Sequence, residues 1–212
     1  MKKNNTKQLI AVVTVSLFCI SLNTEAQTTW GITAGITSAN VHLKDGNESK
    51  TSDYKTGFSA GVIVDIPAGK SFSIQPGLQF LQKGLSDKTP NSSEKITLNY
   101  IDLPINAIYS SAKGFFIGAG PAFSFGVSGK YKYTSGNISE TTDMKFGSGN
   151  NDDLKSFELS ANVLTGFKFK KGFMIAANYN VGLTNNSNEK DVSWKSSYYG
   201  LKLGWIFRGK KA

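Results

Sequence analysis

Four charged side chains stand out because they fall on the polar side of otherwise apolar, alternating stretches: Asp65, Glu158, Lys168 and Lys202. Lys83 and Asp102 join the same class. Two acids and two bases held in one narrow interior would neutralise one another, Lys202 and Lys168 against Glu158 and Asp65, because an unpaired buried charge is costly. Such a lumenal charge network either seals an interior or gates a conduit through it, and the sealed form is the expectation. Other chemistry is poorly supplied. His42 is the sole histidine, and acyl transfer would need it beside a serine and an acid, but no nucleophile motif surrounds any serine. His42 is therefore expected to be a surface residue. Asp143 and the run Asn150-Asn151-Asp152-Asp153 are rich in oxygen ligands, yet the run lacks the alternating spacing and fixed turn of a calcium loop. The expectation is no enzyme: no catalytic residue, no cofactor and no metal site.

The elements that hold these residues begin after an address. Met1-Lys2-Lys3-Asn4-Asn5-Thr6-Lys7 is basic, Leu9 to Leu22 is apolar apart from Thr14, Ser16 and Ser21, and Thr24-Glu25-Ala26 offers small residues for cleavage. This is the layout of a secretory signal over 1–26, with a mature domain over 27–212. The apolar run is shorter than the roughly 20 residues of a membrane-spanning helix. Cys19, the only cysteine, leaves with it, so the mature chain has no disulfide, thiol nucleophile or thiolate zinc ligand. Phe18 before it is too bulky for a lipoprotein-processing site. Removing Lys2, Lys3, Lys7 and Glu25 takes the net charge from +9 to +7.

From Trp30 onward the period is two. Apolar and polar side chains alternate over 30–41, 57–66, 71–83, 95–109, 114–128, 156–169, 173–183 and 198–207, which predicts eight strands. In the last of these, Tyr199, Leu201, Leu203, Trp205 and Phe207 share one face, against Gly200, Lys202 and Gly204. One strand is less regular. Ile96, Leu98 and Tyr100 have one parity and Leu103, Ile105, Ala107 and Tyr109 the other, which predicts a bulge near Ile101-Asp102, with Pro104 beside it. No stretch keeps a helical period. The connections alternate: polar segments 42–56, 84–94, 129–155 and 184–196 are long, while 67–70, 110–113 and 170–172 are short.

The apolar face is ordered by height. Trp30, Phe72, Tyr109, Phe115, Phe169, Phe173 and Phe207 fall beside the short turns or termini. Phe58, Phe80, Phe125, Phe157, Tyr179 and Tyr199 fall toward the other end, with aliphatic residues between. Aromatic girdles around an aliphatic band mark a surface that meets lipid. The opposite face, rich in Gly, Ser, Asn and Gln, would leave buried polar groups unpaired in a soluble core. The expectation is an all-β, eight-stranded antiparallel up-and-down transmembrane β-barrel, with short periplasmic turns, long extracellular loops and periplasmic termini.

Tyr100-Ile101-Asp102-Leu103-Pro104 and Gly118-Ala119-Gly120-Pro121, set in these strands behind a signal peptide, resemble the PorT-type outer membrane protein beta-barrel family over the whole mature chain. The resemblance implies a bacterial outer membrane and no single shared activity. The partners expected are outer-membrane lipids at the girdled face, an unidentified ligand at the long loops and, by likeness to outer-membrane barrels, the barrel-assembly machinery reading a terminal aromatic such as Phe207. Lys70, Lys113, Lys170, Lys171, Arg208, Lys210 and Lys211 gather at the short-turn rim, where they would meet headgroups or an acidic partner. A secreted chain without a recognition motif argues against nucleic acid. The function expected is that of a structural or interaction protein acting through its long loops. The alternatives are a narrow solute conduit and a secretion-associated component.

Overall fold

Extended segments, most of them alternating apolar and polar side chains, pair as ten antiparallel strands in the computed structural model, which describes residues 28–149, 152–189 and 191–207. The segment 1–26 expected to be a secretory signal, with Cys19, and the basic tail from Arg208 lie outside the described residues. The strands are β1 (Thr29–Asp45), β2 (Glu48–Thr51), β3 (Lys55–Pro67), β4 (Phe72–Lys88), β5 (Ser92–Ser110), β6 (Phe115–Ser135), β7 (Ile138–Met144), β8 (Phe157–Lys168), β9 (Phe173–Gly182) and β10 (Val192–Phe207). Among the described residues there is no helical element.

Eight of these strands form a closed ring. The order β10-β9-β8-β6-β5-β4-β3-β1 runs up and down, and β10 pairs back onto β1 from Trp30↔Phe207 to Asp45↔Val192. Closure removes the free edges that an open sheet would present. Following the register once around the ring from Gly31 returns to β1 at Val41. This stagger is what strands tilted around a common axis require, and eight of them enclose an interior just wide enough for side chains to fill.

The strand count is ten rather than eight because two polar segments also pair. β2 folds back on β1 through Gly46-Asn47, with Asp45 facing Glu48, and β7 folds back on β6 through Gly136-Asn137, with Ser135 facing Ile138. Gly46 (φ 52°) and Gly136 (φ 55°) take the left-handed conformation wanted at the first central position of a two-residue hairpin. Both ribbons project beyond the ring and have little to bury, so apolar alternation is not needed to make them strands. The segment 84–94 is likewise mostly strand: β4 runs to Lys88, β5 starts at Ser92, and Thr89 closes the tip through its N–H to the Ser92 carbonyl at 2.8 Å.

β5 does not change phase. Ile96, Leu98, Tyr100, Asp102, Asn106 and Ile108 all face inward and are buried, while Ile101, Leu103, Ile105 and Tyr109 are exposed. The extra residue sits on the facing strand: Asn99 pairs with Ser128 and Tyr100 with Gly126, which leaves Val127 of β6 as the bulge. What alters along β5 is polarity. Toward the short turns the outward side chains are apolar and the inward ones include Asp102 and Asn106 beside Pro104 and Ile108; beyond Tyr100 the inward ones are apolar and Asn99, Thr97 and Lys95 point out.

The interior is therefore layered rather than polar throughout. Near the long hairpins lies an apolar cluster that includes Val41, Leu81, Leu85, Leu98, Tyr100, Leu154, Trp194 and Tyr198. Near the short turns a smaller one joins Ile108, Phe116, Met174, Ala176 and Ile206. The polar side chains fill the space between.

Candidate functional site

The middle layer is built from inward positions on six strands. Glu158 of β8 is fully buried and accepts from Lys83 Nζ of β4 at 2.6 Å. Lys83, 1% exposed, also lies 4.3 Å from the centre of the Tyr100 ring, so the ammonium meets a carboxylate and an aromatic face together. Two further donors reach Glu158 Oε2: the Asn186 amide, from the segment between β9 and β10, and Ser196 Oγ at 3.3 Å. The carboxylate is held by three elements besides its own.

A second group runs across the ring below it. Lys202 Nζ donates to Gln79 Oε1 at 2.7 Å, Gln79 Nε2 donates to Asp102 Oδ2 at 2.7 Å, and Ser124 Oγ donates to Asp102 Oδ1 at 2.5 Å. Lys202 can occupy the interior because Gly35 faces it across the β1–β10 ladder, where any Cβ would meet its backbone and stem. Amides extend the layer, with Asn162 Nδ2 donating to Asn106 Oδ1 at 2.9 Å and Asn178 Nδ2 to Asn162 Oδ1 at 3.1 Å. A cavity of about 40 Å³ between Gln75, Asn106, Asn178 and Lys202 is room for a few waters. Toward the short turns Lys168 forms an ion pair with Asp65 and lies 5.4 Å from the Phe116 ring centre.

Of the expected ion pairs, then, Lys168 meets Asp65, whereas Glu158 takes Lys83 and not Lys202. Lys202 reaches a neutral amide, because the stagger of the ring brings β4 and not β8 opposite its tip. The parity of Lys83 and Asp102 already marked them as inward. Asn186 carried no such signal, since it lies in a loop without alternation.

The remaining candidates sit on the long hairpins. His42 lies across the β1–β2 ladder from Thr51, with Nδ1 3.0 Å from Thr51 Oγ1 and Nε2 3.1 Å from Ser49 Oγ. These are cross-strand contacts on an exposed ribbon, outside the cavities around the interior. Asp152 Oδ2 accepts from the Gly149 N–H at 2.8 Å and Asp153 Oδ2 from the Lys145 N–H at 2.7 Å, so both acids brace their own loop. Among the described residues no cluster of His, Cys, Asp and Glu is suited to a metal ion. Lys50 of β2 donates to Asp87 of β4 at 2.6 Å, and this bond raises its pKa above the ordinary lysine value.

The outer face of the ring is apolar over a continuous band. Ile32, Val62, Leu78, Leu103, Ile117, Val163, Ile175, Leu201 and Leu203 are exposed there. At the short-turn end Trp30 stacks on Phe207 at 4.2 Å, Phe72 meets Tyr109 at 5.3 Å and Phe169 meets Phe173 at 5.6 Å, with Phe115 exposed beside them. At the other end Phe58 pairs with Phe80, Phe125 with Phe157 and Tyr179 with Tyr199. An exposed apolar surface of this extent, on a ring whose polar side chains point inward, has the wrong sense for water. It is the sense of an outer-membrane β-barrel.

The chain belongs to the outer membrane protein beta-barrel domain family, whose model matches residues 25–188, and membership implies the bacterial outer membrane. Among solved structures it is similar to Ail, the attachment invasion locus protein of Yersinia pestis, at 15% identity and a TM-score of 0.51, over 86% of this chain and 100% of that one. It is also similar to Neisserial surface protein A, at 13% identity, a TM-score of 0.46 and coverage of 86% and 100%. OprG of Pseudomonas aeruginosa follows at 11% identity, a TM-score of 0.43 and coverage of 85% and 96%. At such identities the likeness to Ail is one of fold. No curated protein matches the sequence.

Proposed function

We propose that this protein is an outer-membrane barrel with a sealed interior that acts as an interaction protein through its long hairpins. In this reading the apolar band faces lipid, the short turns and both termini are periplasmic, and β2, β7 and the tips of β4, β5 and β6 stand outside the cell. The observation that carries it is the change of polarity along β5. Below Tyr100 the strand has apolar residues outside; above it the apolar residues turn in and pack with Trp194 and Leu154. A barrel that needed only to cross the membrane would end at its upper aromatic ring. This one builds a second, water-facing β structure with its own apolar core, which gives a rigid platform for a partner.

The experiment is to shorten the β6–β7 ribbon by replacing 132–141 with an Asn-Gly turn, which leaves Tyr131 opposite Thr142 and Gly129 opposite Met144, so that Tyr131 and Met144 stay against the upper cluster. The expected result is a barrel that still shows heat-modifiable migration while partner capture by whole cells falls. Capture unchanged by this shortening, and by a matching one of the β1–β2 ribbon, sinks the reading. The narrower PorT-type likeness rests on Tyr100 to Pro104 and favours a secretion-associated role; deletion of the gene with secretion left intact would remove it.

A further inference from the structure

At the opposite end from the hairpins, the mouth beside the short turns opens into a basin of about 710 Å³. Lys70, Lys113, Lys168 and Lys170 line it, together with Ser71 and Ser110. Asp65 is the one acid in the lining, and Lys168 already neutralises it. Lys70, Lys113 and Lys170 are exposed and make no ion pair with a described residue. These three come from three different turns, and the turns are tied to one another: the Ser110 N–H donates to the Ser71 carbonyl at 2.7 Å, and the Lys168 N–H to the Gly114 carbonyl at 2.8 Å. The lysines therefore converge on a braced scaffold. Inward of the basin the cluster of Ile108, Phe116, Met174 and Ile206 closes the way, so the basin is a dead end. Three uncompensated cations around one concavity repel each other and focus a positive field into it, and an anion relieves both.

We propose that this mouth is a binding site for a phosphate group carrying more than one negative charge or flanked by hydroxyl acceptors. Lysines supply point charges and the serine hydroxyls supply donors, a combination that suits phosphate oxygens better than a single planar carboxylate. Phosphate of this kind has two sources, a phospholipid headgroup entering sideways from the bilayer and a soluble phosphate compound. The site stands apart from the hairpin reading, because its ligand is met at the other end of the molecule.

The test uses the full mature chain folded in a neutral maltoside detergent. Pyrophosphate binding is read by calorimetry at low salt. Retention of phosphatidylglycerol over phosphatidylcholine is read by native mass spectrometry. The variant Lys70→Gln/Lys113→Gln/Lys170→Gln is compared with Lys130→Gln/Lys132→Gln on the β6 ribbon. The triple variant is expected to weaken one or both ligands by about tenfold or more, with the ribbon variant unchanged. Loss of pyrophosphate binding alone assigns a soluble phosphate; loss of phosphatidylglycerol retention, alone or with it, assigns the headgroup. No binding of either ligand by the parent chain, or equal loss in the two variants, overturns the site. Heat-modifiable migration checks folding, and the single variants Lys70→Gln and Lys113→Gln, expected to show the same direction, replace the triple if it fails to fold.

Discussion

The single contact with the most at stake is Lys83 with Glu158. Both side chains are out of reach of solvent, and each has further partners that hold its charge in place: the Tyr100 ring for the ammonium, Asn186 and Ser196 for the carboxylate. Removing one partner leaves the other charged and buried. Lys83→Met should lower unfolding stability by about 3–5 kcal/mol, read from urea unfolding in detergent. Adding Glu158→Leu should restore much of that but not all, because Asn186 then loses its acceptor. A Lys83→Met variant as stable as the parent would show that the pair is dispensable. Lys202 should behave differently in degree: its hydrogen-bond partner Gln79 is uncharged and Asp102 keeps donors in Gln79 and Ser124, so Lys202→Met is expected to cost less in the same assay, the remaining cost being the buried Asp102 charge left without a cation nearby. Parity in the sequence puts Asp65, Lys83, Asp102, Glu158, Lys168 and Lys202 on one face of their strands. Which of them meet depends on the stagger around the ring, and that is a sum of eight registers no local pattern encodes. Hence Glu158 could be paired with Lys202 on paper, although the fold brings it Lys83.

At the scale of the strand, β5 shows what alternation does and does not say. A period of two tells which residues share a side, but the same period results whether a side meets lipid, water or a core. Ile96, Leu98 and Tyr100 share a side with Asp102 and Asn106 throughout; the surroundings change, not the phase. Read as a phase change, the pattern calls for a bulge in β5, while the real one at Val127 falls on β6 among glycines and serines that give no apolar marker. Two substitutions separate these accounts. Leu103→Arg, on the exposed apolar band, should impede insertion into bilayers by about 2–4 kcal/mol. Leu98→Asp, on the opposite side and higher up, should leave insertion intact and loosen the upper cluster, so that Trp194 fluorescence shifts red in a Trp30→Phe/Trp205→Phe background. If Leu98→Asp instead blocks insertion, Leu98 faces lipid and the inversion is wrong. The eight alternating strands were legible because each has one apolar side. The β2 and β7 ribbons were not, since both sides of them are polar and only their Gly-Asn turns mark them.

The whole molecule is a closed ring with two apolar stoppers and a polar layer between them, and this bears on whether anything passes through. An ion entering from the short turns meets the lysine basin and then Phe116, Met174 and Ile206. Beyond them lies a cavity of about 40 Å³, and the way on leads past the Lys83–Glu158 pair into a second apolar cluster around Leu98, Tyr100 and Trp194. An ion would have to shed its hydration at both stoppers with nothing polar to replace it, which is prohibitive in an interior filled by side chains. Purified protein in planar bilayers should therefore show no steady openings. Truncating one stopper, as in Phe116→Ala/Met174→Ala, should leave the bilayer silent, because the other still seals. Only a variant that also opens the upper cluster, with Leu98→Ala and Trp194→Ala added, should conduct. Steady conductance from the unmodified chain, reproducible across preparations and absent after heat denaturation, would mean that the stoppers move aside together and that the barrel is a conduit.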